Sequence, residues 1–202
     1  MEVLTAYVRN KSPLPKGWLE TPVEKRKSLP AVTTDVQSAL TVIGRREAKN
    51  DLMFKRLVLG QSNLSSAQLG NADLDGADLD GAILNDAELN FANLTRARLI
   101  GANLTGAILT GVKLKGADLT DAILTGAILN YFADLYFANL TGVKLKGADL
   151  TDANLTGAIL TGAILTGAKG ITPEQIKQAR DWQKAHYDDG FRKQLGLPPE
   201  KS

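Results

Sequence analysis

The chain has 202 residues, a net charge of +2, no Cys, a single His and 5% aromatics. Without Cys there is no disulfide framework, thiol chemistry, Fe–S cluster or Cys-based zinc site. His186 alone makes no multi-His metal centre. No apolar run approaches the roughly 20 residues a bilayer span needs, and Met1-Glu2-Val3 has neither the basic nor the apolar region of a leader. A cytoplasmic protein without a membrane span is the expectation. Charge is mixed along the chain: residues 1–51 carry net +3, residues 52–169 net −2 and residues 170–202 net +1. That distribution does not mark a phosphate-tracking surface, so no direct nucleic-acid partner is expected.

From the N-terminus, Met1–Asn10 reads as a short helix with Val3, Leu4, Tyr7 and Val8 apolar. Residues 11–32 hold four Pro and one Gly, the composition of a linker. Within it, Lys25-Arg26-Lys27 reads as a solvated charge run. Thr34-Asp35-Val36-Gln37 has the form of a capping box opening a second helix, through about Arg46. Its apolar stripe, Val36, Ala39, Leu40 and Ile43, is expected to lie over the start of the next region, near Leu52 and Phe54.

From Phe54 onward an apolar residue returns every fifth position. Leu occupies 59, 64 and every fifth place to 129, then 135 and every fifth place to 165, which with Phe54 makes 23 repeats. Two residues before each Leu, from position 67 to 163, stands Ala, replaced only by Val112 and Val143. Period five defines no face of an α-helix, and in a flat strand it would send alternate Leu to opposite sides. The recurrent Gly also argues against a helix, at roughly 1 kcal/mol each. One geometry satisfies the pattern: the chain turns a corner every five residues, always the same way. Ala and Leu, two apart, then point inward together, while Asp, Asn and Thr face outward or bond their own backbone at the corner. Four corners close a square coil.

Ala72-Asp73-Leu74-Asp75-Gly76 and its neighbours resemble the pentapeptide-repeat family, A(D/N)LxX, over residues 52–169. The resemblance implies an all-β solenoid, a right-handed quadrilateral β-helix with four repeats per coil and nearly six coils. Residues 1–51 and 170–202 would then be the N-terminal helices with their linker and the C-terminal helical cap. The segments Leu4–Arg9 and Asp35–Arg46 are similar to those preceding the repeats in longer bacterial members, which implies a start inside a longer architecture. The Thr172-Pro173-Glu174-Gln175 tail resembles that of cyanobacterial members.

One register shift interrupts the rod. Five residues, Asn130 to Asp134, separate Leu129 from Leu135 where four are expected, and the extra one should bulge at a corner. Thr110–Leu129 and Thr141–Leu160 agree at 19 of 20 positions, at an offset of 31, six repeats plus one residue. That is an internal duplication, and it should place Lys113/Lys115 and Lys144/Lys146 on opposite faces. Downstream, Thr172-Pro173-Glu174-Gln175 is a capping box with Pro at the first helical position. Ile176, Ala179 and Trp182 are expected on one side of that helix, sealing the last coil. Phe191–Leu195 reads as a second short helix.

Little of this carries reaction chemistry. Asp73, Asp75, Asp78, Asp80, Asp86 and Glu88 form the densest acidic segment, but a four-repeat coil spreads them over several faces, where corner hydrogen bonding accounts for them. Nothing in the spacing resembles a calcium loop, a phosphate loop or a catalytic triad. His186 reads as a surface or capping group. No catalytic residue, cofactor or metal is therefore assigned.

The aromatics stand out. Phe91, Tyr131, Tyr136 and Phe137 fall at outward or corner positions and Phe132 in the bulge. Counting by fours puts Phe91, Ile108, Ile128 and Tyr131 on one face, and outward Ile83, Ile123, Ile159 and Ile164 add apolar surface. Such a stripe marks a contact with a protein partner or a second copy of the chain. The sequence thus reads as a non-enzymatic interaction scaffold. The alternative is a DNA mimic acting on a topoisomerase such as gyrase, a role some family members have with rods more acidic than this one.

Overall fold

A computed structural model describes residues 1–18, 20–22, 29–45 and 56–199. Its centre is a coil that pairs with itself. Along residues 58–169 every fifth residue makes a parallel bridge to the residue one coil on, 20 positions later through Ile108–Ile128. Each coil therefore has four faces. The first carries Val58, Asp78, Arg98 and Asp118; the second Asn63, Ile83, Asn103 and Ile123. The third carries Gln68, Glu88, Ile108 and Ile128, and the fourth Asp73, Asn93, Lys113 and Asp134.

The ladder explains the consensus. The Leu104 N–H donates to the Ile123 carbonyl one coil up at 2.7 Å, and the Ile123 N–H returns to Ala102 at 2.9 Å. Leu104 and Ala102 flank that outward position, so both side chains point into the coil. The Leu of each repeat from Leu59 to Leu165 is at most 2% exposed. Interiors this dry make each buried Leu worth roughly 1.5–3 kcal/mol. The corner follows at once: Ala107 N–H donates to Leu104 O, closing a four-residue turn whose third residue takes a positive φ, 69° at Gly106. That left-handed conformation is why Gly recurs at this place.

The extra residue of the fourth coil lies at the corner between its third and fourth faces. From Lys113–Asp134 to Ile128–Asp149 the pairing offset becomes 21, then returns to 20. Tyr131 and Phe132 absorb it, with φ of 55° and 58° in succession. The ladder resumes at once, with Asp134 N–H on Val112 O at 2.8 Å. Lys113 is on the fourth face and Lys144, bridged to Ile123, on the second, so the duplicated lysines do lie on opposite sides.

At the N-terminal end, α1 (Glu2–Lys11) packs on α2 (Thr34–Gly44). Val36, Ala39, Leu40 and Ile43 are buried in the same core as the coil leucines. Leu52, Phe54, Lys25-Arg26-Lys27 and Arg46 lie outside the described residues. The expected capping box does not form: the N-cap is Thr33, and no side chain caps the helix. Gln37 is engaged elsewhere. Its Nε2 donates to Gln68 O and its Oε1 accepts from Gln68 N–H, both at 2.8 Å. A side-chain amide here makes the two bonds that a strand would make to Gln68. Gly44 meets the fourth face, its carbonyl accepting from Asp73 N–H at 2.8 Å.

At the other end Thr172 caps α3 (Pro173–Lys177) through a complete capping box. Ile176 and Ala179 are buried, but the helix stops after five residues. Trp182 is not on it. Trp182 opens a separate 3-10 turn (Trp182–Lys184) and is partly buried against the core. The chain in between supplies a further part of a coil, with Arg180 bridged to Ile159 and His186 to Ile164. His186 thus sits in the ladder through its backbone, and its side chain is exposed. α4 (Asp189–Leu195) begins two residues before Phe191 and ends at Gly196, φ 77°. No helix among the described residues is long and apolar enough to cross a membrane.

Candidate functional site

The coil interior is filled by Ala and Leu, so whatever the molecule recognises must meet its outer faces. Those faces are dominated by one local device. Asp118 Oδ1 accepts from Thr120 N–H at 3.1 Å and from Thr120 Oγ1 at 2.6 Å, with Asn139 Nδ2 one coil up at 3.2 Å. Asp73, Asp78, Asn93, Asn103, Asp134, Asn139, Asp149 and Asn154 repeat this turn-stabilising contact. The Thr151 hydroxyl, first among several donors, holds the Asp149 carboxyl below its ordinary range.

Two carboxylates of the acidic segment are tied to cations. Arg96 donates to Asp75 through both Nε and Nη2, and Arg98 pairs with Asp80. Those contacts raise the pKa of both guanidinium groups. Asp73 and Asp78 share their oxygens with the backbone of Asp75 and Asp80. Asp86 and Glu88 belong to the second corner and third face, so the segment is spread as expected and partly neutralised. No group of His, Asp and Glu among the described residues is arranged to hold a metal.

The aromatic residues assemble at two corners that flank the fourth face. At the corner shared with the third face, the Phe91 ring lies over Gly111, where an added Cβ would come 2.5 Å from Cε1. Only a Gly there lets the ring reach Tyr131, two coils on in register, edge-to-face at 6.0 Å. Phe132 continues the ledge at 6.0 Å from Tyr131. Phe91, Tyr131 and Phe132 are 47%, 62% and 71% exposed. Ile108 and Ile128 border this ledge on the third face, adjacent in the ladder and half-buried. Tyr136 and Phe137 occupy the opposite corner, edge-to-face at 4.4 Å, with Lys115 Nζ 5.2 Å from the Tyr136 ring centre.

Phe91, Ile108, Ile128 and Tyr131, counted onto one face in the sequence, thus lie together with Phe132, while Tyr136 and Phe137 form a second cluster, with Lys113 and Asp134 between the two. Two expected surface residues are not at the surface. Ile83 is fully buried and Ile123 is 6% exposed, although both point away from the coil interior. Ser12 and Pro30 are tied to this same second face: Asn63 N–H donates to Ser12 O and its Nδ2 to Pro30 O. Sequence reasoning also missed Gln37, whose place in a capping-box pattern concealed its contact with the ladder.

A coil of four five-residue sides, with small and large inward residues alternating, is the architecture of a repeat solenoid. The pentapeptide-repeat model matches residues 62–99, 92–130 and 133–169. The chain belongs to the pentapeptide-repeat family, whose fold is a right-handed β-helix. Among solved structures it is similar to HetL of the cyanobacterium Nostoc sp. strain PCC 7120, described as involved in heterocyst differentiation regulation. Identity is 32%, over 66% of this chain and 73% of that one, with a TM-score of 0.33. A thylakoid-lumen member from Arabidopsis thaliana is 34% identical over 45% of this chain and 66% of its own, TM-score 0.30. QnrB1, a plasmid-mediated fluoroquinolone resistance protein, is 18% identical over 73% and 86%, TM-score 0.28. A comparison with curated protein sequences finds no match.

Proposed function

We propose that this protein is a non-enzymatic scaffold whose fourth face, with its two aromatic corners, docks a protein partner. The observation that carries the reading is the ledge at the extra residue. Tyr131 and Phe132 both hold a left-handed backbone that disfavours bulky side chains by roughly 1–2 kcal/mol each, yet present their rings to solvent. Gly or Asn would relieve that strain, so rings held there against local preference point to contact with another surface. Aromatic residues ringed by polar ones are the usual anchors of protein interfaces. The DNA-mimic alternative is disfavoured by Arg96 and Arg98, which already occupy Asp75 and Asp80.

Replacing Phe91 and Ile128 together by Asp tests the scaffold reading. Assembly or partner capture is expected to be lost while the melting transition persists, read by size-exclusion chromatography and pull-down. Unchanged behaviour in both rejects the face as the interface. Inhibition of gyrase supercoiling at low micromolar protein would replace this reading by the topoisomerase one.

A further inference from the structure

The fourth face is complementary to itself, and from this we infer that the partner it docks is a second copy of this chain, laid antiparallel. The inference rests on the docking reading and makes it specific. Lys113 of the third coil is exposed, and Asp134 lies directly above it in the ladder. Asp134 Oδ1 is held by Tyr136 N–H and Asn154 Nδ2, which fixes the carboxylate at the surface. On this face the third coil is therefore cationic where the fourth is anionic.

A two-fold axis across the rod, passing between these coils, sets the third coil of one copy against the fourth of the other. It keeps each corner opposite itself. Lys113 then meets Asp134 of the second copy, twice. The Phe91 ring, lying over Gly111, meets Tyr131 of the second copy, also twice. Such reciprocity is the condition for a closed isologous pair. A parallel pair in register would instead oppose Lys113 to Lys113 and Asp134 to Asp134. The face runs over five coils, from Asp73 to Asn154, about 24 Å at about 4.8 Å per coil, and its reciprocal contacts are few. A dimer that dissociates on dilution through the micromolar range, and more readily at high salt, is the consequence.

Sedimentation of the full chain through that dilution range is the test. Lys113→Asp and Asp134→Lys each oppose like charges at both contacts and are expected to weaken self-association at least tenfold. Mixed in equal amounts, each supplies the sign the other lacks, and a mixed dimer is expected to return to near wild-type affinity. Asp134→Lys also loses its turn contacts, so Tyr131→Asp, which puts a residue type that tolerates positive φ at a left-handed position, serves as the second variant. It too is expected to weaken the dimer tenfold with its melting transition retained. A wild-type chain that stays monomeric overturns the inference, as does a dimer indifferent to Lys113→Asp and Tyr131→Asp. If the wild type is monomeric while Phe91→Asp with Ile128→Asp still loses a different protein, the second-copy inference fails and the docking reading survives.

Discussion

Hydrogen bonding by single carboxylates and amides governs this surface more than charge does. Asp118 satisfies three donors at once, on its own turn and on the next coil. Asp118→Ala leaves those donors without their acceptor, an expected cost of about 1–3 kcal/mol, read by chemical denaturation. Asp35 shows the same principle in the N-terminal helices. Thr33 Oγ1 and then Tyr7 Oη, at 2.6 Å, donate to its carboxylate and hold its pKa at about 2. The Tyr7 hydroxyl is raised in turn, chiefly by that bond. A depressed carboxyl pKa contributes stability that is complete above its unfolded value, near 3.9, and fades as pH falls toward 2. Tyr7→Phe is expected to raise the Asp35 pKa, measurable by NMR titration of the carboxyl carbon, and to weaken the bond joining α1 to α2.

The elements show where a repeat speaks plainly and where it does not. Ala and Leu positions, the corner glycines and the bulge after Leu129 were all legible, because an inward position recurs under identical constraints in every coil. The ends are not periodic, and there local patterns misled. Thr34 to Gln37 has the spacing of a capping box, yet the edge of the first coil offers Gln37 the N–H and carbonyl of Gln68, and its amide takes both. Gln37→Ala is expected to cost about 1–3 kcal/mol and to speed hydrogen exchange at the Gln68 amide ahead of the central coils. The same holds at Trp182: apolar spacing extends the helix to it, whereas Arg180 is drawn out of helical conformation to bridge Ile159. The aromatic clusters were legible as outward residues, but their division between two corners needed the register of the extra residue.

For the whole molecule, stability is a sum over neighbouring coils, since each coil packs only on those above and below it. Leu119→Ala, in the middle, removes a buried side chain that the rigid ladder cannot collapse around, with an expected loss of about 2–5 kcal/mol. Unfolding is expected to begin at the ends, where α2 and the segment after Thr172 replace true coils. Exchange of the Leu165 amide, bonded to His186 O, should outpace that of Leu114, bonded to Asp134 O.

The duplicated block of 31 residues also acts as a half-turn of phase. Six repeats advance one and a half coils, and the extra residue travels with them, so the ladder closes on either side of the joint. Excising one block would shorten the rod by about 7 Å at about 4.8 Å per coil. It would also rotate everything after it by 180° about the long axis. Arg180 and His186 now close the first and second faces; in the shortened chain they would close the sides diametrically across. A rod built from such blocks can change which sides its two caps point to while its interior stays the same, and the present length fixes one of those two settings.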